Sequence, residues 1–338
     1  MIRTTWRKWI MPVGLIVALI LGWAWPTPGR YLNETPTQTI CIVLLFLISG
    51  LELHTESWRS IVALWPPALF GTISILFITP LFAFVYRYLP LDTFVKVGLG
   101  VFALSPTTVS SGVVLVSQCN GNIPLSLFLT VATNILCVFT IPFMLPTFVM
   151  GNSSSADLDP VGILIGLLYT VLAPSVVGKL LRNARPVRVF ATEYKDALKL
   201  TSIFLLIVIP WMKMSASVES FNHISIVQHV LTASLALFMH VVFIVFHATV
   251  CWPLPISTDI RKAIVIMCSQ KTLTVSFAVI ASLPPSSISN LYSIPVIIGH
   301  LMQMVFDSVL VVKWVGPTTA DRGEYKENMN ADADIEIS

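Results

Sequence analysis

The sequence predicts an all-α protein with several membrane-spanning helices. Of its 338 residues, 55% are hydrophobic and only 11% are charged, whereas a soluble domain carries about 25% charged residues. The mean hydropathy is +0.84. The apolar residues are grouped in stretches of about twenty, the length that crosses about 30 Å of hydrocarbon at about 1.5 Å per residue. Too little polar surface remains to cover a water-soluble domain.

Apolar runs that end at Pro, Gly, Asn or charged residues predict ten spans. The nine Trp residues support this count, because they fall near the predicted span ends and indole rings favour the membrane interface. We predict spans one to ten near residues 10–26, 37–53, 61–86, 94–118, 122–148, 158–180, 197–214, 226–252, 261–282 and 291–315.

The polar segments between the spans predict the domain organisation. The apolar run behind the basic N-terminus lacks a small-residue cleavage site, so we expect it to be span one and not a cleaved signal. The acidic tail has no apolar periodicity, which is typical of disorder. We expect a cytoplasmic N-terminus at 1–9, a first five-helix repeat at 10–180, a basic cytoplasmic connector at 181–196, a second repeat at 197–315 to which span six (158–180) belongs structurally, and a disordered cytoplasmic tail at 316–338.

The basic residues predict the orientation. With a cytoplasmic N-terminus and ten spans, fifteen of the twenty Lys and Arg residues lie on the inside and four on the outside. This bias follows the positive-inside rule. Two glycosylation sequons, at Asn33 and Asn152, then fall in outside loops. We therefore expect a multi-pass protein of the plasma membrane or an organelle membrane, with both termini cytoplasmic. The sequence contains no clustered basic face, so it gives no indication of a nucleic-acid partner.

Two spans carry polar interruptions at matching positions. Residues 105–110 (SPTTVS) interrupt span four, and residues 269–274 (SQKTLT) interrupt span nine. Repeats of five spans are inverted relative to each other, and paired interruptions in such repeats indicate a binding site near the midplane. Pro106 removes a backbone donor, and unpaired backbone at this depth must face protein, water or a bound solute. The alternative is that Ser and Thr bond within their own helices and Pro only kinks one; the matched pair favours a site.

Lys271 is the most informative single residue. It lies about ten residues from either end of span nine, too deep to reach the interface easily. A charged lysine near a helix centre costs roughly 2.5–3.5 kcal/mol, so we expect it to face a cavity or a partner. Asp307 in span ten is a candidate partner. The candidate substrate- and ion-binding residues are Pro106, Thr107, Thr108, Ser110, Ser111, Ser126, Thr130, Thr133, Asn134, Gln270, Lys271, Thr272, Thr274, His300, Gln303 and Asp307.

Some of these polar residues have a simpler interpretation. A lone Ser or Thr in a span more often joins helices than binds a ligand, although Asn134 and Gln303 are harder to explain in that way. His240 and His247 are seven residues apart on one helix face. Without a carboxylate or cysteine beside them, we interpret both as packing residues. No cofactor or metal site is predicted, since none of the five cysteines forms a CxxC pair.

The sequence resembles the bile acid:sodium symporter superfamily from about residue 40 to 315. It is most similar to the branch that contains plant plastid carriers, the vertebrate orphan seventh member of solute carrier family 10 and fungal regulators of calcium homeostasis. The resemblance implies a core domain and a panel domain built from two inverted five-helix repeats, whose broken fourth and ninth helices cross near the midplane. The matching segments are 46–56, 98–116, 121–142, 269–275 and 300–311.

The resemblance also implies where coupling ions would bind. One sodium site of the family corresponds to Ser111, Gly112, Ser126, Thr130 and Thr133, so its hydroxyls persist while its Asn is lost. The second site keeps only Gln270; its helix-three Gln is replaced by Ile75 and its Glu by Ile266. Losing the carboxylate removes the main charge that would hold sodium.

We hypothesise that the Lys271 ammonium stands near where a cation would bind. It would serve either as a built-in charge that gains and loses a proton, or as an anchor for a carboxylate substrate. Burial disfavours the charged form of an amine, so a proton-linked cycle is physically possible.

Three classes of function remain open. The leading one is secondary transport of a small organic anion, coupled to Na⁺ or H⁺, by relative motion of the two subdomains. The second is a membrane regulator of calcium homeostasis that acts through a partner protein; no acidic ring suited to a calcium pore occurs in the spans. The third is an intramembrane enzyme, for which His300 with Ser269 is the conceivable but weak pair.

Overall fold

The computed structural model describes residues 10–52, 64–109, 111–150, 159–283 and 289–314, and all regular structure within them is helical. The predicted N-terminus (1–9), the predicted tail (316–338) and Ser110 lie outside these residues. The α-helices are α1 (Ile10–Ala24), α2 (Pro26–Asn33), α3 (Thr37–Glu52), α4 (Trp65–Ile73), α5 (Phe82–Tyr88), α6 (Thr93–Leu104), α7 (Ser111–Gln118), α8 (Ile123–Leu145), α9 (Pro160–Leu167), α10 (Ala173–Asn183), α11 (Arg185–Glu193), α12 (Lys195–His223), α13 (Ile226–Cys251), α14 (Thr258–Ser269), α15 (Leu273–Ala281) and α16 (Ser293–Trp314).

Seven helical segments of the described chain are long and apolar enough to cross a membrane, and an eighth results if the pair α2 and α3, bent by 77°, counts as one span. The first predicted span corresponds to the shorter apolar helix α1, and the fourth begins with the shorter apolar helix α6 and continues after a break as α7. The chain is therefore an all-α protein with several membrane-spanning helices. The seven segments are Trp65–Tyr88, Ile123–Val149, Pro160–Asn183, Lys195–Glu219, Ile226–Cys251, Thr258–Ala281 and Asn290–Val311.

Two features of the fold differ from the predicted boundaries. The basic connector contains the short helix α11, and the seventh span extends from Lys195 to His223 instead of ending at 214. The predicted end was placed beside Lys213, whose charge suggested an aqueous position. In the structure Lys213 is buried and its Nζ donates to Asn290 Oδ1 at 3.1 Å. Because its ammonium has a partner, the helix continues past it.

The helices pack in two groups. The panel group comprises α1, α3, the sixth span (α9–α10) and α12; α10 packs along α3, and α12 packs against α1 and α3. The contact between α3 and α10 is close because glycines face it: a Cβ on Gly50 would collide with the Ser175 carbonyl, and one on Gly178 with the Leu47 carbonyl. The core group comprises the helices of the third, fourth, fifth, eighth, ninth and tenth predicted spans.

The ninth span lies at the centre of the core group. Its residues 263–280 are all buried, whereas only 28% of the most apolar stretch of the sixth span and of the seventh span is buried. Those outer faces are apolar, with exposed residues such as Ile165, Val176 and Phe204, as expected for surfaces that contact lipid. All five cysteines are free and buried. The ninth span can therefore carry polar side chains, since every one of them meets protein.

Candidate functional site

The polar interruptions predicted in spans four and nine are confirmed, and they contact each other. Span four is helical to Leu104 and resumes at Ser111; span nine is helical to Ser269 and resumes at Leu273. The Thr272 backbone N–H donates to the Pro106 carbonyl at 2.9 Å. The Ser105 and Ser276 hydroxyls lie 2.7 Å apart. The two breaks thus place four helix ends, with partial charges of both signs, at one buried point.

The Lys271 side chain is fully buried in this crossing. Its Nζ donates to Thr79 Oγ1 at 2.7 Å, to the Ser105 carbonyl at 2.9 Å and to the Ile75 carbonyl at 3.5 Å. The Phe243 ring centroid lies 5.6 Å from Nζ. Lys271 was expected to face a cavity or a partner. It meets partners inside the protein, and these partners are neutral oxygens.

Gln303 holds the ninth-span break in its extended shape. Its Oε1 accepts from the Lys271 backbone N–H at 3.0 Å, and its Nε2 donates to the Lys271 carbonyl at 2.7 Å. Both backbone groups of Lys271 are therefore paired by one side chain, as in a strand ladder. His300 Nδ1 lies 2.9 Å from Gln303 Nε2 and accepts from it. The enzyme pair considered above is not formed, since Ser269 Oγ bonds to the Val265 carbonyl instead.

Asp307 does not pair with Lys271, which corrects the expected partnership. Asp307 Oδ1 lies 2.8 Å from His240 Nε2, and Asp307 Oδ2 accepts from Gln270 Nε2. The His240 and Asp307 side chains are only 2% and 1% exposed. The interpretation of His240 as a packing residue was wrong, because it assumed no nearby carboxylate and the carboxylate comes from another span. His240 Nδ1 also lies 3.2 Å from the Ser269 carbonyl at the break.

The candidate residues of the fifth span fit both interpretations given above: they bond within their own helix, and some of them also contact the proposed site. The hydroxyls of Ser126, Thr130 and Thr133 bond to carbonyls of their own helix, as structural Ser and Thr commonly do. Two of the candidates also reach the fourth-span break. Asn134 Nδ2 donates to the Thr107 carbonyl at 3.0 Å as well as to the Thr130 carbonyl of its own helix, and Thr130 Oγ1 lies 3.4 Å from the Thr108 carbonyl.

Two oxygens at this contact have no hydrogen-bond partner among the described residues. They are Thr107 Oγ1 and Asn134 Oδ1, both buried. Thr108 has a different role, since its Oγ1 accepts from the Gly112 N–H at 2.8 Å and caps the start of α7.

A crevice separates the panel group from the crossing. It consists of two adjoining cavities that share the lining residues Phe46, Ser49, Glu52 and Val109. One cavity continues to Lys199, Ser202 and Thr274, and the other to Thr130 and Asn134. The crevice therefore connects both candidate helix segments with two charged residues of the panel group, the exposed Lys199 and the half-buried Glu52.

Several residues of the site carried no clear signal in the sequence. Thr79 and Ser276 are single hydroxyls in apolar runs, which are common in membrane helices. Ser105 belongs to the predicted interruption 105–110 but is not among the candidate binding residues. The Thr79-Pro80 pair could have indicated the acceptors of Lys271, because a proline inside a span frees a carbonyl. Its place opposite Lys271 depends on tertiary packing.

The chain matches the family described as the SBF-like CPA transporter family over residues 9–315. It belongs to this family. An Arabidopsis thaliana protein named probable sodium/metabolite cotransporter BASS4, chloroplastic, is 33% identical over 90% of this chain and 72% of its own length. The rice (Oryza sativa subsp. japonica) protein of that name is 28% identical over 91% and 76%. Mouse sodium/bile acid cotransporter 7 is 26% identical over 90% and 92%.

Membership in the SBF-like family confirms the resemblance to the bile acid:sodium symporter superfamily. Together with the apolar helices, it establishes a multi-pass membrane protein of a transporter family, which lies in a lipid bilayer.

Proposed function

We propose that this protein is a secondary active carrier for a small organic anion, which it binds in the crevice beside the crossing of the two interrupted spans. The observation that carries the proposal is the 2.9 Å bond between Thr272 N and Pro106 O, because it joins two unwound backbone segments deep inside an apolar helical protein. Unwound backbone at this depth is typical of carrier binding sites. The names of the relatives, which are sodium/metabolite and sodium/bile acid cotransporters, support the same class.

The proposed architecture has ten spans in two inverted five-helix repeats, with both termini cytoplasmic. The panel group then takes the first two spans of each repeat, and the core group takes the last three. This division accords with the packing, in which spans one, two, six and seven contact each other. The transport motion is a displacement of one group against the other along the crevice.

We propose either Na⁺ or H⁺ as the coupling ion, and each of the two would bind at its own residues. Na⁺ favours oxygen ligands, and the unpartnered Thr107 Oγ1 and Asn134 Oδ1 offer two of them. For H⁺, the buried His240–Asp307 pair offers an imidazole and a carboxyl group in direct contact, 2.8 Å apart. The exposed Lys199 at the crevice supplies a positive charge for the anion. The calcium-regulator alternative stays a prediction, and no feature of the residues that the structure describes favours it.

Reconstituted protein tests the carrier function. Purified protein in liposomes is offered a panel of labelled organic anions, with an inward Na⁺ gradient, an inward H⁺ gradient or neither. We expect saturable uptake of at least one anion under one gradient, and lower uptake in Asn134→Leu if the gradient is Na⁺, or in His240→Leu if it is H⁺. Thr170→Val, on the sixth span, serves as the matched control, since Thr170 Oγ1 only bonds to the Gly166 carbonyl. Folded protein that moves no anion under either gradient contradicts the proposal.

A further inference from the structure

The environment of the Lys271 ammonium is a cage of neutral oxygens. Its three N–H groups meet three acceptors, namely Thr79 Oγ1, Ser105 O and Ile75 O. Within the described ranges, no carboxylate lies within 4 Å of Nζ. With three donors and three acceptors matched, the ammonium retains no donor for a substrate carboxylate in this conformation. The alternative in which Lys271 anchors the substrate is therefore disfavoured.

The cage oxygens are available because two prolines disturb two helices. In the third span, residues Ser74–Ile78 form a π-helical turn, in which the Thr79 N–H bonds to the Ser74 carbonyl. The next backbone N–H would have served Ile75, but Pro80 has none. In the fourth span the helix ends at Leu104, before Pro106, so the Ser105 carbonyl has no donor four residues further on. The Ser105 carbonyl is thus left to the ammonium, and the ammonium shares the Ile75 carbonyl with the Thr79 hydroxyl, which donates to it at 3.1 Å.

A buried group of neutral oxygens around one positive charge is the composition of a monovalent-cation site. Carbonyl oxygens replace the water shell of such ions in membrane proteins, and an aromatic face adds attraction. Phe243 provides that face, 5.6 Å from Nζ. Without a cation, three inward-facing acceptors would be buried and only partly satisfied, which is unfavourable.

We propose that Lys271 is the tethered occupant of a monovalent-cation site, and that removing its side chain creates a site for a free small alkylammonium ion or Na⁺. The ammonium then acts as an internal cation that ties the third, fourth and ninth spans together. This inference concerns ion binding and does not rest on the proposed transport function.

The test uses purified protein in detergent and needs no substrate. Thermal unfolding midpoints are measured for the wild type, Lys271→Ala and Lys213→Ala in ethylammonium, sodium or tetramethylammonium chloride at equal ionic strength. Lys213 is the matched control, since it is also buried but donates to one side-chain oxygen among the described residues, Asn290 Oδ1. We expect Lys271→Ala to lose roughly 10 °C and to recover at least half of the loss in ethylammonium or Na⁺. Tetramethylammonium, which has no N–H group, should have no effect.

Two further variants decide the remaining outcomes. Lys271→Met fills the space of the stem without a charge, so it should be less stable than the wild type and insensitive to added cations. Adding Thr79→Val to Lys271→Ala should abolish the ethylammonium response. An equal response in Lys213→Ala or the wild type overturns the proposal, as does a Lys271→Ala protein that no cation stabilises. If Lys271→Ala cannot be purified, a Lys271→Met protein as stable as the wild type overturns it, and a destabilised one supports it.

Discussion

Asp307 is a buried acid whose two carboxylate oxygens each have a donor from a different span. His240 on α13 serves one, and Gln270 at the ninth-span break serves the other. Removing one member of a buried pair leaves its partner without compensation, which costs far more than the pair contributes net. The pair therefore specifies how α13, α16 and the break are arranged, whatever its contribution to overall stability.

We expect Asp307→Leu to reduce the free energy of unfolding by roughly 3–5 kcal/mol, because His240 and Gln270 lose their acceptor. A double-mutant cycle with His240→Leu measures the coupling, and the double variant should lose less than the sum of the single losses. Denaturant titration in detergent gives the values. Ser308→Ala is the control, since Ser308 Oγ only bonds to the Met304 carbonyl. Additive losses would show that the two side chains act independently.

The ninth-span break is an element with its own support. Gln303 pairs with both backbone groups of Lys271. We expect Gln303→Leu to cost about 2–4 kcal/mol, since it leaves one buried donor and one buried acceptor unpaired. Amide hydrogen exchange should also accelerate over residues 269–274 more than over α8. Unchanged exchange at the break would mean that Gln303 does not hold it.

For single helices, the sequence predicts features that depend on neighbouring residues and does not predict contacts between spans that are far apart along the chain. Both breaks were predictable, because Pro106 and runs of polar residues interrupt apolar patterns. The π-helical turn before Pro80 was not, since a single Thr-Pro pair in a span more often marks a simple kink. The acceptors of Lys271 and the partner of Asp307 come from spans far apart along the chain, and no spacing rule within a helix can place them.

The whole molecule consists of two helix groups that meet at a crevice, and transport should require them to move. We expect the variant Ser49→Cys/Val109→Cys, joined by a short bifunctional thiol reagent across the crevice, to lose most of the gradient-driven uptake. The control is Ser49→Cys/Ser202→Cys, in which both positions line the same cavity but belong to the panel group. Uptake that continues after complete cross-linking would exclude relative motion at this crevice.

The orientation of the whole chain can be tested at two exposed helix ends. Ten spans with a cytoplasmic N-terminus place Glu34, at the end of α2, outside and Glu193, at the end of α11, inside. We expect a membrane-impermeant maleimide added to intact cells or sealed vesicles to label Glu34→Cys from the outer side only and Glu193→Cys from the inner side only. Labelling of both from one side would contradict the span count.

The native thiols have a practical and chemical consequence. Cys41, Cys119, Cys137, Cys251 and Cys268 are each no more than 5% exposed, so reagents and oxidants in water cannot reach them while the fold is intact. A fluorophore or spin label directed at one introduced position should therefore report on that position alone, in an otherwise unaltered chain. Conversely, the appearance of native thiol reactivity would be a direct signal that the interior has opened.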